Sequence, residues 1–399
     1  MKPSFSSNFL SGPGVIITGA FIGPGTVTVC LLAGVKSGVS LLWAVLFSTL
    51  ATIILQDMVV RLAVREKRSL EEIFLSRFNQ PWLKGLFALF IFTAIIVGNT
   101  AYQSGNLAGT SLGVALLFEE IPGPWIVFGV AVVCLFIFTL NNTQQFRQIL
   151  GMLVAVMSLT FIALAMYYMP GPRELLRGLL IPSLMDDQLM LALGLVGTTV
   201  VPYNLFLHSA LVYNAGEGEL KALRTEGAIS ILMGGLISLA IVITGKIGEG
   251  NTILNAADMA TILKNNMGSA SLWLFGTGLF AAGFSSALTA PMAAGKVASG
   301  LWQHFFLSQK RLGFWIEVSV VILGAWVAIA NVNNLWVIKT AQVINGMLLP
   351  VFIIMILYLL NTRTTMKKDK NNIWLNLAGF FVLLVSILLT YKTLVSVFS

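Results

Sequence analysis

Two short stretches of this chain interrupt long apolar segments with glycine and proline. Residues 23–26 read Gly-Pro-Gly-Thr and residues 201–204 read Val-Pro-Tyr-Asn. Proline lacks a backbone donor and glycine weakens a helix, so each stretch leaves backbone groups without helical partners. The surrounding side chains offer hydroxyls and an amide but no carboxylate, which suits binding of a small solute by neutral groups. The candidate binding residues are Gly23, Pro24, Gly25, Thr26, Thr198, Val201, Pro202, Tyr203 and Asn345.

The elements that carry these breaks are predicted to cross a membrane. The chain has 399 residues, of which 57% are hydrophobic and 10% are charged, and its mean hydropathy is +0.89. Each apolar stretch has the roughly 20 residues that a bilayer core requires. We count eleven, at about 13–35, 40–62, 85–115, 123–140, 149–169, 189–213, 227–247, 270–300, 313–330, 336–360 and 374–396. The sequence predicts a single all-α integral membrane domain over residues 1–399.

Lysine and arginine are concentrated in the loops that follow even-numbered spans. The loops on the other side carry few of these residues, namely Lys36, Arg173, Arg177, Lys246 and Lys264. By the positive-inside rule, the N-terminus is expected in the cytoplasm and the C-terminus outside, in a bacterial-type inner (plasma) membrane. This distribution explains the net charge of +8, and we expect the lipid bilayer, not nucleic acid, to be the partner.

The two breaks divide the chain into halves. Each half opens with an interrupted span, and five spans per half force the halves to insert in opposite orientations. This is the inverted repeat of the leucine-transporter type, in which the solute binds at the broken helices. The repeats are expected at about 10–170 and 185–362, with an additional helix at 374–396.

Several motifs resemble those of the NRAMP divalent-metal transporters. Residues 12–14 read Gly-Pro-Gly, and 23–26 align with the family's Asp-Pro-Gly-Asn. Residues 201–211 are similar to Met-Pro-His-Asn-Leu-Tyr-Leu-His-Ser-Ala-Leu, and 281–286 read Ala-Ala-Gly-Phe-Ser-Ser where the family has Ala-Ala-Gly-Gln-Ser-Ser. Residues 343–350 resemble the family's tenth span. The resemblance implies a secondary-active transporter.

The metal-site positions depart from the family pattern. The positions that the resemblance assigns to Asp, Asn, Met and Gln read Gly23, Thr26, Val201 and Asn345, and Tyr203 replaces a histidine. The acidic pair of the third span is also missing, because the span instead contains the neutral polar run at 99–106. The sequence therefore predicts that the transition-metal site is lost and that no metal is bound there.

Without the carboxylate, helix N-termini at the breaks favour a small anion or a polar solute. Ser285 and Ser286 occupy the place where leucine-transporter-type folds hold sodium, so sodium is the favoured coupling ion. His208 makes a proton the competing choice. The main expectation is therefore an ion-coupled importer of a small inorganic or polar solute, with no other cofactor.

Two alternatives stay open. One is a divalent metal cation transporter with an altered, neutral-ligand site, and the other is a transport-inactive receptor or scaffold. An enzyme is not expected, because no nucleophile and base, phosphate loop or metal cluster is visible. Cys30 and Cys134 both fall inside predicted spans and are expected to serve packing.

Overall fold

The computed structural model describes residues 12–140, 142–182, 188–250, 256–306, 311–330, 334–362 and 371–398. The side chains of 334–347, of Ala256 and of several residues beyond 388 lie outside that description. All secondary structure that the described residues form is helical. The helices are α1 (Pro13–Phe21), α2 (Pro24–Ser37), α3 (Leu42–Glu66), α4 (Leu70–Leu75), α5 (Pro81–Phe92), α6 (Gly98–Ala115), α7 (Gly123–Thr139), α8 (Thr143–Tyr167), α9 (Pro172–Leu180), α10 (Leu189–Thr199), α11 (Pro202–Val212), α12 (Leu220–Gly245), α13 (Ala256–Met267), α14 (Ser269–Phe305), α15 (Leu312–Ile329), α16 (Asn334–Asn361) and α17 (Ile373–Phe398).

The predicted spans are present. Seven helical stretches, one of which contains the break between α10 and α11, are long and apolar enough to cross a membrane, and the bent pair α1 and α2 supplies an eighth. Shorter apolar helices at Gly123–Thr139, Leu348–Asn361 and Ile373–Leu388 correspond to the other three predicted spans. The third span contains a π-helical turn at Thr93–Val97 that joins α5 to α6. The short helices α4, α9 and α13 lie in connectors that carry too little apolar sequence to predict.

Both predicted breaks occur where the glycine and proline residues stand. The axes of α1 and α2 differ by 52°, and Gly23 at the break has an extended backbone. In the sixth span α10 ends at Thr199, Val201 is extended, and α11 begins at Pro202. Each proline occupies the first position of its helix, where a missing N–H costs no helical hydrogen bond.

The long helix α14 packs against α6, α8 and α15 and runs through the middle of the bundle. Pro291 within α14 has no N–H to offer the carbonyl four residues earlier. The side chain of Gln103 on α6 replaces that donor, because its Nε2 donates to the Ala287 carbonyl at 3.1 Å. Asn99 Nδ2 also donates to a carbonyl of this helix, that of Ala290, at 3.1 Å. The polar run of α6 thus satisfies backbone groups that lipid could not.

Candidate substrate site at the two helix breaks

A small cavity of about 50 Å³ lies where α2, α6, α10, α11 and α14 meet. Such a volume holds a few water molecules or an ion with part of its water shell. Its walls come from both broken spans and from α6 and α14. They are formed by Ala20, Phe21, Gly23, Gly25, Thr26, Tyr102, Asn106, Thr198, Val201, Tyr203 and Ser286.

Six of the nine predicted binding residues line this cavity. Pro24 and Pro202 are buried next to the lining residues and set the start of their helices. Asn345 lies in α16, but its side chain is outside the described part of the chain. The breaks thus come together in space as the sequence predicts, even though about 180 residues separate them along the chain.

Three hydroxyls on the cavity wall donate their hydrogens to backbone carbonyls. Tyr203 Oη donates to the Ala20 carbonyl at 2.8 Å. Ser286 Oγ donates to the Ile22 carbonyl at 3.0 Å. Thr198 Oγ1 donates to the carbonyl of Leu195, one turn earlier, at 3.2 Å. A hydroxyl has one hydrogen and two lone pairs, so these three groups are left to act as acceptors.

Asn106 adds an amide oxygen to the same wall. Its Nδ2 donates to Gln103 Oε1 at 3.4 Å. Its Oδ1 would lie 3.5 Å from a Cβ placed on Gly23. Tyr102 and Asn106 belong to the neutral polar run at 99–106, but nothing in the sequence alone predicts a part in binding for either. Their approach to the break depends on the packing of α6 against α2, where Pro24 occupies the space beside Gly109.

The helix ends at the cavity carry opposite partial charges. The N-termini of α2 and α11 present positive ends, and the C-termini of α1 and α10 present carbonyls. Among the described residues, no three His, Cys, Asp or Glu side chains come together to hold a metal ion. Because the described residues that line this cavity carry no charged side chain, a cation there would be bound by neutral oxygens.

The predicted coupling residues lie in three different environments. Ser286 contacts the first break, and its hydroxyl also lies 3.5 Å from the carbonyl of Gly19. Ser285 donates within its own helix to Ala282 at 3.1 Å, and its side chain packs near Gly19. His208 is buried in α11, where its Nδ1 forms a 2.8 Å hydrogen bond with Gln56 Oε1 of α3. Neither Ser285 nor His208 lines the cavity.

Comparison with known proteins identifies the family. A sequence profile described as "Natural resistance-associated macrophage protein-like" matches residues 14–396. The chain belongs to the NRAMP family. It is accordingly a membrane transporter with the inverted-repeat fold, which confirms the predicted fold class.

Named relatives of this NRAMP protein include the divalent metal cation transporter MntH of Verminephrobacter eiseniae. That relative is 24% identical over 379 residues, covering 92% of this chain and 84% of the relative. MntH of Pectobacterium carotovorum is 24% identical over 405 residues, covering 98% and 95%. Among solved structures, the manganese transporter of Eremococcus coleocola matches with a TM-score of 0.80 and 19% identity, covering 99% of this chain and 88% of the other.

Proposed function

We propose that this NRAMP transporter carries a hard divalent cation, such as Mn²⁺ or Mg²⁺, through a site of neutral oxygens. The observation that carries the proposal is that three hydroxyls on the cavity wall hydrogen-bond to backbone carbonyls, which can only accept. Tyr203, Ser286 and Thr198 all donate to backbone carbonyls and line the cavity. The hydroxyl oxygens of these residues can therefore offer a ligand only their lone pairs, and oxygen lone pairs bind cations.

A neutral site can hold a divalent ion only if the ion keeps much of its water. Mg²⁺ loses water reluctantly and commonly retains several water molecules in proteins. The cavity of about 50 Å³ leaves room for a few. Because no carboxylate compensates the charge, we expect weaker binding than an acidic site would give.

The donor set also favours one class of metal over another. The described part of the cavity wall contains hydroxyl, amide and backbone oxygens but no sulfur and no imidazole. Oxygen ligands suit Mg²⁺, Ca²⁺ and Mn²⁺, whereas thiolate, thioether and imidazole suit softer metals. Val201, where the family pattern has methionine, gives Cd²⁺ no soft ligand to prefer.

The comparisons favour this proposal over the main expectation from the sequence. The relatives from V. eiseniae and P. carotovorum are named divalent metal cation transporters. The neutral-ligand alternative therefore has the stronger support.

A second candidate, sodium-coupled uptake of a small anion or polar solute, rests on a different feature. The N-termini of α2 and α11 both reach the cavity, and such termini attract anions. Ser286 lies beside two first-span carbonyls, those of Gly19 and Ile22, which could join it around a sodium ion. The sequence-based assignment of Ser285 and Ser286 to sodium and of His208 to a proton belongs with this candidate.

Calorimetric titration of the purified protein separates the two candidates. Mn²⁺ and Mg²⁺ should bind, Cd²⁺ should show no advantage over Mn²⁺, and chloride and sulfate should give no heat of binding. Thr26→Val removes one lining oxygen and should weaken Mn²⁺ binding by about tenfold. Thr28→Val is the matched control, because Thr28 donates to the Pro24 carbonyl at 2.9 Å and does not line the cavity. Anion binding without cation binding would favour the second candidate.

A further inference from the structure

A second cavity, here called the α4-side cavity, lies between α4, the end of α11, α14 and α15. Its volume is about 260 Å³, several times that of the cavity at the breaks. It lies on the side predicted to face the cytoplasm. Its walls are strongly polar and include Ser69, Glu71, Glu72, Tyr213, Lys296, Ser299, Gln303 and Glu317.

Glu71 is a fully buried carboxyl on the wall of this cavity. The residue is 0% exposed. Its Oε1 accepts a 2.7 Å hydrogen bond from Ser69 Oγ, whereas its Oε2 has no hydrogen-bond partner among the described residues. Burial raises the pKa of this carboxyl to about 8. An ionised, buried oxygen without a donor is costly, so the site is incomplete without a cation or a proton.

Two carboxyls are placed on either side of one lysine along α14. The Glu71 carboxyl lies against Gly300, where an added Cβ would overlap with Oε1. Glu317 of α15 lies against Gly295, where an added Cβ would be 2.8 Å from Oε1. Lys296 stands between the two glycines in sequence. With Glu72 also on the wall, three carboxylates outnumber one ammonium, and the fully ionised cavity is negative.

The two cavities share the same helices. α11 begins beside Val201 at the breaks and ends next to Tyr213 at the α4-side cavity. α14 carries Ser286 at the first cavity and Lys296 at the second. Ten residues of helix separate these side chains, which corresponds to about 15 Å along the axis.

We propose that the α4-side cavity is a second cation-binding site, which takes a hydrated divalent cation through the carboxylates of Glu71 and Glu317. Hydration follows from the geometry, because Glu71, Glu72 and Glu317 share the cavity wall but, among the described residues, no three such side chains come close enough together to hold an ion directly. The volume of about 260 Å³ accommodates an ion with its inner water shell. The choice of a divalent ion rests on the proposed function.

The test is a calorimetric titration of the full purified chain with Mn²⁺ at pH 8.5, on the alkaline side of the raised Glu71 pKa. The wild type should show two classes of site. Glu71→Gln combined with Glu317→Gln should remove one class and leave the other. Glu119→Gln, which alters an exposed carboxylate elsewhere, should change neither. An unchanged two-class isotherm in the double variant would overturn the proposal, as would a single class in the wild type that the double variant retains.

A second variant tests the electrostatics in the opposite direction. Lys296→Gln removes the positive charge that competes with the ion, so it should tighten Mn²⁺ binding at this site by roughly tenfold. Weaker or unchanged binding would contradict the proposal even if the double variant failed to fold. The central site is tested separately by Thr26→Val. If only the double variant abolishes binding, the α4-side site stands and the proposed function at the breaks fails.

Discussion

The hydroxyl of Ser286 in α14 donates a 3.0 Å hydrogen bond to the carbonyl of Ile22, the residue that follows the last turn of α1. This bond satisfies a carbonyl that the helix break leaves without its usual partner. It also connects the first break to α14, the long helix that contains Ser286. The geometry of the cavity therefore depends on a contact between residues more than 260 positions apart.

Ser286→Ala should destabilise the protein by about 1 kcal/mol, because the Ile22 carbonyl loses its donor. It should also weaken binding of Mn²⁺ at the breaks. Ser285→Ala is the control, since Ser285 donates only one turn back in its own helix. Apparent melting temperatures and Mn²⁺ titrations of both variants check this. Equal effects of the two substitutions on melting temperature and Mn²⁺ binding would show that the contact between Ser286 and the break contributes no more than the local hydrogen bond of Ser285.

Gly23→Asp with Thr26→Asn and Val201→Met should raise the affinity for Mn²⁺ by at least about tenfold, because it adds a charge and two donors to the cavity. A Cβ on Gly23 would lie 3.0 Å from Ser286 Oγ, so a small adjustment of that side chain accommodates it. Gly23→Asn in the same background is the neutral control. A folded triple variant with no gain in calorimetric affinity would contradict the assigned geometry.

Protein stability should fall as the pH rises from 6 to 8. The folded-state pKa of Glu71 is about 8, above its ordinary value of 4.5, so the folded state holds its proton more tightly than the unfolded state does. This contribution is fully present below pH 4.5 and is lost as the pH rises through 8. Glu71→Gln should flatten the profile of melting temperature against pH, while Glu119→Gln should not. Parallel profiles for Glu71→Gln and the wild type would refute this assignment.

His208→Ala should lower stability by about 1–3 kcal/mol, since it removes the partner of the buried Gln56 Oε1. It should leave any pH dependence of uptake in place, because His208 does not line the cavity at the breaks. Uptake into liposomes at several pH values, corrected for the amount of folded protein, is the measurement. Loss of the pH dependence in this variant would instead make His208 the proton-coupling residue.

The spans and both breaks could be predicted because their signals are local. Apolar length identifies a membrane helix, and the Gly-Pro and Val-Pro steps mark where a helix must stop. Tyr102 and Asn106 could not be assigned in this way, because only the packing of α6 on α2 brings them to Gly23. Glu71 was missed for the same reason, since it meets Lys296 and Glu317 only in the folded bundle.

The substrate class was the hardest part to predict. The sequence shows that the carboxylate is absent, and this absence favoured a small anion or a polar solute. It does not show where hydroxyl hydrogens point. In the structure the Tyr203 and Ser286 hydroxyls both donate their hydrogens to first-span carbonyls. This is the reason for proposing a cation as the substrate. The repeat boundaries and the orientation of the termini remain predictions.

The central claim is tested most directly by uptake of Mn²⁺ into liposomes that contain the purified protein. We expect saturable Mn²⁺ uptake that Mg²⁺ competes with, that falls in Thr26→Val, and that Thr28→Val leaves unchanged. Absence of Mn²⁺ and Mg²⁺ uptake, together with sodium-driven accumulation of a small anion by the same liposomes, would contradict the account.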